Sequence, residues 1–353
     1  MRIFIDARFY GTEHTGLGRY TKNVLEHLPE LLKGDITILV HPKYQSLKFG
    51  RNWQVITSRV RPYSLAEQFV IPLLIGRSRA DLYLGFHFNI PLLISTPFIT
   101  VIHDLIKSHF SGPDTTTRTP WLYTLKRWAY ELTMRRTVTQ ALALIVPTNT
   151  VKNDILARYN LEPSLIYSIP EAIDTSILRP TKYQPPCSNY LLYVGNAYPH
   201  KNISTLLKAV HTLDYNLVIV SKRNMFLEKE LSKLGSDIKA RVYVQEEVTD
   251  QELAGLYQGA VITVSPSLME GYGLPGVESL ALGVPIVASN IPVFREVYGE
   301  RAEYFEPKSV PGLTQAIKRA AVKKRLAYKS KHTWGDVARG INEVINESRT
   351  RLR

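Results

Sequence analysis

SPSLMEGYGLPGVESLALGVPIVAS, residues 265–289, decides the fold of this chain. Apolar residues 261–264 precede it as a short buried strand, and residues 277–282 have the spacing of an amphipathic helix, so its glycines fall on a strand-to-helix turn. Gly271, Gly273 and Gly276 permit positive φ and close backbone approach, and free amides at a helix start attract phosphate. Glu270 stands before the glycines and Glu278 inside the helix, eight positions later. Carboxylates repel phosphate, so beside such a turn they suit neutral hydroxyls on a sugar or a ribose. A nucleotide sugar carries both kinds of group.

Outward from this stretch, 353 residues suit two domains, each with its own core. The longest apolar run, 69–75, contains Pro72 and falls far short of the ~20 residues that span a bilayer. Asp6 lies where a signal peptide would be apolar, so the N-terminus reads as a first strand. Cys187 is the only cysteine, which excludes an internal disulfide and fits the cytosol. Forty-four Lys and Arg against 31 Asp and Glu give a net charge of +13, which asks for an acidic partner: nucleic acid, anionic lipid or a phosphate-bearing substrate.

The first half alternates strand and helix. Strands are expected at 2–7, 36–40, 81–84, 98–102, 143–146 and 165–169. The turn 11–20 leads into a helix and sets Gly16 and Gly18 where a helix N-terminus would face a phosphate. Residues 64–75 read as a helix broken at Pro72, residues 120–136 as a longer one, and residues 151–159 as a helix capped from 147–150. The apolar spacing of 120–136 predicts a core-packing stripe, with a membrane headgroup layer as the competing use of its Trp, Tyr and cations. His103 and Asp104 close one strand. The Pro-rich stretch 178–188 reads as the interdomain linker.

The second half restarts the pattern, with strands at 190–194, 217–220, 242–244, 261–264 and, as the last, 286–288. Gly195 and Asn196 open a turn that reaches Lys201 and a helix at 203–210, and the basic run 319–331 reads as a solvated helix face. Such alternation predicts an α/β protein with parallel sheets and ligands at the carboxyl ends of the strands. No Asp-x-Asp and no paired His or Cys spacing marks a metal site, so no cofactor and no divalent metal are expected.

Glu270 through Glu278, read as Glu-Gly-Tyr-Gly-Leu-Pro-Gly-Val-Glu, resembles the signature of retaining glycosyltransferases of family GT4. The resemblance covers nearly the whole chain and is strongest over 190–306. It implies the GT-B fold: two Rossmann-like parallel-sheet domains facing a central cleft, with a C-terminal helix returning to the first. The corresponding boundaries are an acceptor-binding domain at 1–172, a nucleotide-sugar-binding domain at 173–334 and the terminal helix at 335–353. By the same resemblance His103 faces the transferred sugar, Glu270 orients it, Lys201 approaches the donor diphosphate and Glu278 holds the ribose. Gly16, Gly18, Asn196, Gly271, Tyr272, Gly273 and Leu274 complete the donor contacts. Asn196 departs from the pattern, since many relatives carry arginine directly after the first glycine.

The implied reaction is same-face attack, with a donor phosphate oxygen taking the acceptor's proton, rather than the paired carboxylates of retaining hydrolases. GDP-mannose is preferred over UDP-sugars on the resemblance alone. The expected acceptor is a glycan or lipid-linked glycan, handled in the cytoplasm or at the inner face of an anionic membrane. Two alternatives share features of the chain. A dinucleotide oxidoreductase would need a third glycine that Gly16-Leu17-Gly18-Arg19-Tyr20-Thr21 lacks. A nucleic-acid binder would explain the charge, but the basic residues are dispersed and form no recognition motif.

Overall fold

A computed structural model describes residues 1–11, 15–112, 119–179, 183–323, 325–326 and 328–351. Residues 12–14 of the first glycine turn and Pro180 of the expected linker lie outside the described residues. The chain divides into two units: residues 1–105, 119–171 and 332–353 form the first, and residues 172–331 with the short segment beginning at Ile106 form the second.

The first unit holds seven parallel strands: β1 (Arg2–Asp6), β2 (Asp35–Val40), β3 (Gln54–Thr57), β4 (Leu82–Gly85), β5 (Phe98–Val101), β6 (Ala143–Val146) and β7 (Ile166–Ser168), in the order β3-β2-β1-β4-β5-β6-β7. The second holds six: β8 (Tyr190–Val194), β9 (Asn216–Val220), β10 (Val242–Gln245), β11 (Ile262–Ser265), β12 (Ile286–Ser289) and β13 (Ala302–Phe305), in the order β10-β9-β8-β11-β12-β13. Both sheets are parallel throughout, and strands such as β4 and β6 are short, largely apolar runs buried on both faces. The strand order reverses beside β1 in one sheet and beside β8 in the other. A crevice opens at such a point, outside the carboxyl ends of the strands, where α/β sheets take ligands.

Four expectations are corrected. Residues 286–288 are not the last strand, because β13 follows and pairs with β12 as the edge. The helix Glu67–Ser78 runs through Pro72 unbroken, since Ile71 and Ile75 are buried on either side of it and their packing outweighs the lost backbone donor. The basic run is not one helix face: the Val310–Ala321 helix stops near its start. The helix Pro120–Gln140 does not bury the expected stripe, for Trp121, Leu125, Trp128 and Leu132 all face outward. The terminal helix Trp334–Arg351 packs on the Thr15–His27 helix of the first unit.

Candidate active site

In the second unit, two loops leave the sheet on either side of the reversal point. The first follows β8. Gly195 turns with φ 142, its amide donates to the Val220 carbonyl at 3.0 Å, and the Tyr193 hydroxyl holds the carbonyl of Asn196 at 2.8 Å. The turn Pro199–Lys201 ends at Asn202, a left-handed residue whose side-chain amide donates to the Pro266 carbonyl at 3.0 Å. The second loop follows β11 and answers with the Leu268 amide, which donates to the His200 carbonyl at 2.7 Å. These two bonds stitch the loops together and bring Lys201 to Glu270.

Lys201 Nζ donates to Glu270 Oε1 at 2.6 Å, and Ser267 Oγ donates to the same oxygen at 2.7 Å. Among the described residues, the hydrogen bonds to Glu270 fall on Oε1 alone. The pair is only partly exposed, at 22% and 14%, which strengthens its attraction relative to a pair in open water. His200, the residue before Lys201, is half-buried; its partial desolvation and then the Lys201 charge disfavour its charged form and, against Glu270, hold its pKa down at about 4.

Gly271 and Tyr272 carry the loop from Glu270 to the helix Leu274–Ala281, with Gly273 as its N-cap. Gly273 has φ +96, and a Cβ there would stand 2.4 Å from the Tyr298 hydroxyl, which donates to the Gly273 carbonyl at 2.7 Å. Gly276 is required by packing rather than by ligand approach, because a Cβ would meet the Tyr298 ring at 2.3 Å and Ile286 at 2.4 Å. Tyr272 is buried in the core of the same unit. Glu278 is 5% exposed and accepts a 2.7 Å hydrogen bond from the Tyr257 hydroxyl.

The first unit carries the remaining predicted residues. His103 follows β5, with Nδ1 at 3.0 Å from Glu171 Oε1 and Nε2 at 3.0 Å from the Phe86 carbonyl. Two acceptors facing two ring nitrogens require hydrogen on both, so the geometry selects the imidazolium. Burial opposes that charge, but the Glu171 carboxylate, by hydrogen bond and by charge, raises the His103 pKa above its usual value. Tyr20 lies edge-on to the His103 ring at 4.7 Å and to Trp334 at 5.5 Å, which links the helix carrying Gly16 and Gly18 to this histidine. Gly16 sits in the first turn of that helix with open space where a Cβ would go, while Gly18 is buried.

Several partners escape a reading of the sequence. Ser267 was within reach, three residues before Glu270. Tyr257 and Glu171 had no signal, because sheet order alone brings them to Glu278 and His103. The same holds for a buried network at the end of β1, where Arg8 bridges Asp6 and Glu67 at 2.6 Å each. Glu67 also accepts from the Tyr63 amide at 2.7 Å and holds that residue at φ 65. Among the described residues, no group of three or more His, Cys, Asp or Glu is placed to hold a metal ion.

The two halves of the chain match two families in tandem. Residues 14–177 match the family described as Glycosyltransferase Family 4, and residues 178–341 match that described as Glycosyl transferases group 1. The chain is similar to the O-antigen chain mannosyltransferase RfbU of Salmonella typhimurium, at 29% identity over 335 residues covering 90% of each chain. It is 33% identical over 207 residues to the MMP alpha-(1->4)-mannosyltransferase of Mycolicibacterium hassiacum, a match covering 55% of this chain and 49% of that one. Among solved structures, sucrose-phosphate synthase from Thermosynechococcus elongatus superposes with TM-score 0.70 at 15% identity, covering 98% of this chain and 94% of the other.

Proposed function

Because the chain belongs to the family 4, group 1 glycosyltransferases of the GT-B fold, we propose that it moves a mannosyl group from GDP-mannose to a glycan or lipid-linked glycan with retention at the anomeric carbon. Membership in that family replaces the oxidoreductase and nucleic-acid alternatives. One observation carries the chemistry: a lysine and a carboxylate joined at the carboxyl ends of β8 and β11, beside a glycine-capped helix start. The preference for mannose is supported by the names of both relatives described above. A cytoplasmic enzyme peripheral to the inner face of a membrane is supported by the charge of +13 and by the phosphate of a lipid-linked acceptor. No helix among the described residues is long and apolar enough to cross a membrane.

In this reading the acceptor oxygen bonds to the sugar's anomeric carbon on the face from which the diphosphate departs. The bond from that carbon to the phosphate oxygen breaks, the acceptor's proton passes to a phosphate oxygen, and nucleoside diphosphate leaves. Lys201 and the amides at Leu274 stabilise the departing charge without a metal, with the Gly16 and Gly18 turn adding further donors. Lys201 is held in place by Glu270 and turns its remaining N–H groups to phosphate. Glu270 Oε2 takes a sugar hydroxyl, and Glu278 takes the ribose. His103 contributes positive charge near the reacting carbon rather than a free nitrogen, because Glu171 and Phe86 already engage its ring.

A panel of nucleotide sugars scored by nucleotide release and thermal shift tests the proposal. GDP-mannose is expected to release GDP, raise the melting temperature and do both equally in EDTA, and NMR of the product is expected to show the donor's anomeric configuration. Release confined to UDP-sugars overturns the donor, loss of activity in EDTA overturns metal independence, and an inverted product overturns retention.

A further inference from the structure

Exposed tryptophan is uncommon on a soluble helix, and two on one stripe ask what covers them. The helix Pro120–Gln140 is anchored by its last two turns, where Met134 and Val138 are buried, Thr137 Oγ1 donates to the Phe88 carbonyl at 2.9 Å and Arg136 donates to the Ile94 carbonyl at 3.0 Å. Its first three turns carry Trp121, Leu125, Trp128 and Leu132 at spacings of four, three and four, hence on one face. They are 70%, 54%, 64% and 40% exposed.

The helix Glu67–Ser78 of the same unit repeats the arrangement. Leu65 just before it, Phe69 and Leu73 follow a spacing of four and are 85%, 67% and 54% exposed. The segment between the helices ties to both: the Leu92 amide donates to Gln68 Oε1 at 2.6 Å, and Ile94 receives Arg136. Exposed Leu93 therefore lies between the two stripes. One unit thus exposes apolar side chains on two helices and on the segment hydrogen-bonded to both.

Charge identifies the occupant. On the Pro120–Gln140 helix Arg127 pairs with the single acid Glu131, and Arg136 is committed to the Ile94 carbonyl, which leaves exposed Lys126 and Arg135 as the cations that face solvent. A second copy would set this helix's excess of cations against its own like, in a chain already at +13. Indoles flanked by cations match the headgroup layer of a bilayer, where the ring is half wet and the cation meets phosphate. We propose that these two helix faces lie in the headgroup layer of an anionic membrane and dock the first unit there. The inference rests on the lipid-linked acceptor reading for its purpose, but not for its geometry.

Flotation of the full chain with phosphatidylglycerol vesicles, against phosphatidylcholine vesicles and across a salt series, tests it. Wild type is expected to float with the anionic vesicles at low salt and to show a blue shift in tryptophan emission. W121S/W128S is expected to lose about tenfold or more of the bound fraction. Its nucleotide release from the donor panel is expected to stay unchanged, which separates failure of docking from failure of the glycosyltransferase reading. Equal flotation of the variant overturns the proposal, as does absence of wild-type flotation at low salt. A dimer lost in W121S/W128S, without flotation of either protein, gives the face to a second copy instead.

Discussion

Glu278 is the residue whose role is easiest to separate from the fold. Gln has the same shape and still accepts the Tyr257 hydroxyl, so Glu278→Gln is expected to leave the melting temperature nearly unchanged. Losing a charged acceptor for ribose hydroxyls weakens donor binding by about 1.5–3 kcal/mol, roughly tenfold or more. Calorimetric titration with the donor checks this, and unchanged affinity removes Glu278 from the site. The glycines sort by the same logic. Gly273→Ala combines a steric clash with a left-handed backbone and is expected to destabilise by about 2 kcal/mol or more in urea unfolding. Gly16→Ala meets nothing and gains helix propensity, so stability is expected to hold or rise. If the donor diphosphate approaches that turn, transfer falls although the fold is intact; full activity in Gly16→Ala takes the turn out of the mechanism.

At the scale of elements, the Lys201 and Glu270 pair belongs to two loops rather than to either residue. Lys201→Met and Glu270→Gln are expected to be less than additive in urea unfolding, with a coupling of about 1–2 kcal/mol for a half-buried pair. Strict additivity would mean that the Asn202 side-chain bond to the Pro266 carbonyl and the Leu268 backbone bond to the His200 carbonyl alone hold the loops. The sequence disclosed both loops because each follows a short, largely apolar strand and carries glycine at its turn. It concealed β13, whose central Glu303 and Tyr304 are half-exposed on an edge strand and break the apolar run. It also misled at Pro120–Gln140, where helical spacing is the same whether a stripe faces a core or the outside. Partners such as Glu171, 68 residues from His103, were beyond reading because strand order, not spacing, sets their distance.

For the whole molecule, the two units carry histidines that answer pH in opposite senses. His103 in the first unit has its folded pKa raised, chiefly by Glu171 against the penalty of burial, above an unfolded value of about 6.5. Its contribution is therefore complete below about pH 6.5 and is lost as pH rises through the folded value. His200 in the second unit is held down at about 4 by burial and by Lys201, with Glu270 opposing. Its contribution is complete above about pH 6.5 and is lost as pH falls toward 4, by up to about 3 kcal/mol before allowance for its partial exposure. Amide exchange read strand by strand is expected to show β8 and β11 losing protection first in mild acid, and β5 and β6 first in mild alkali. His200→Leu is expected to flatten the acid limb alone, and His103→Gln the alkaline limb alone. If both sheets lose protection together at every pH in wild type, then the two histidines do not govern the stability of their own units, and the role proposed for the His103 charge loses its structural support.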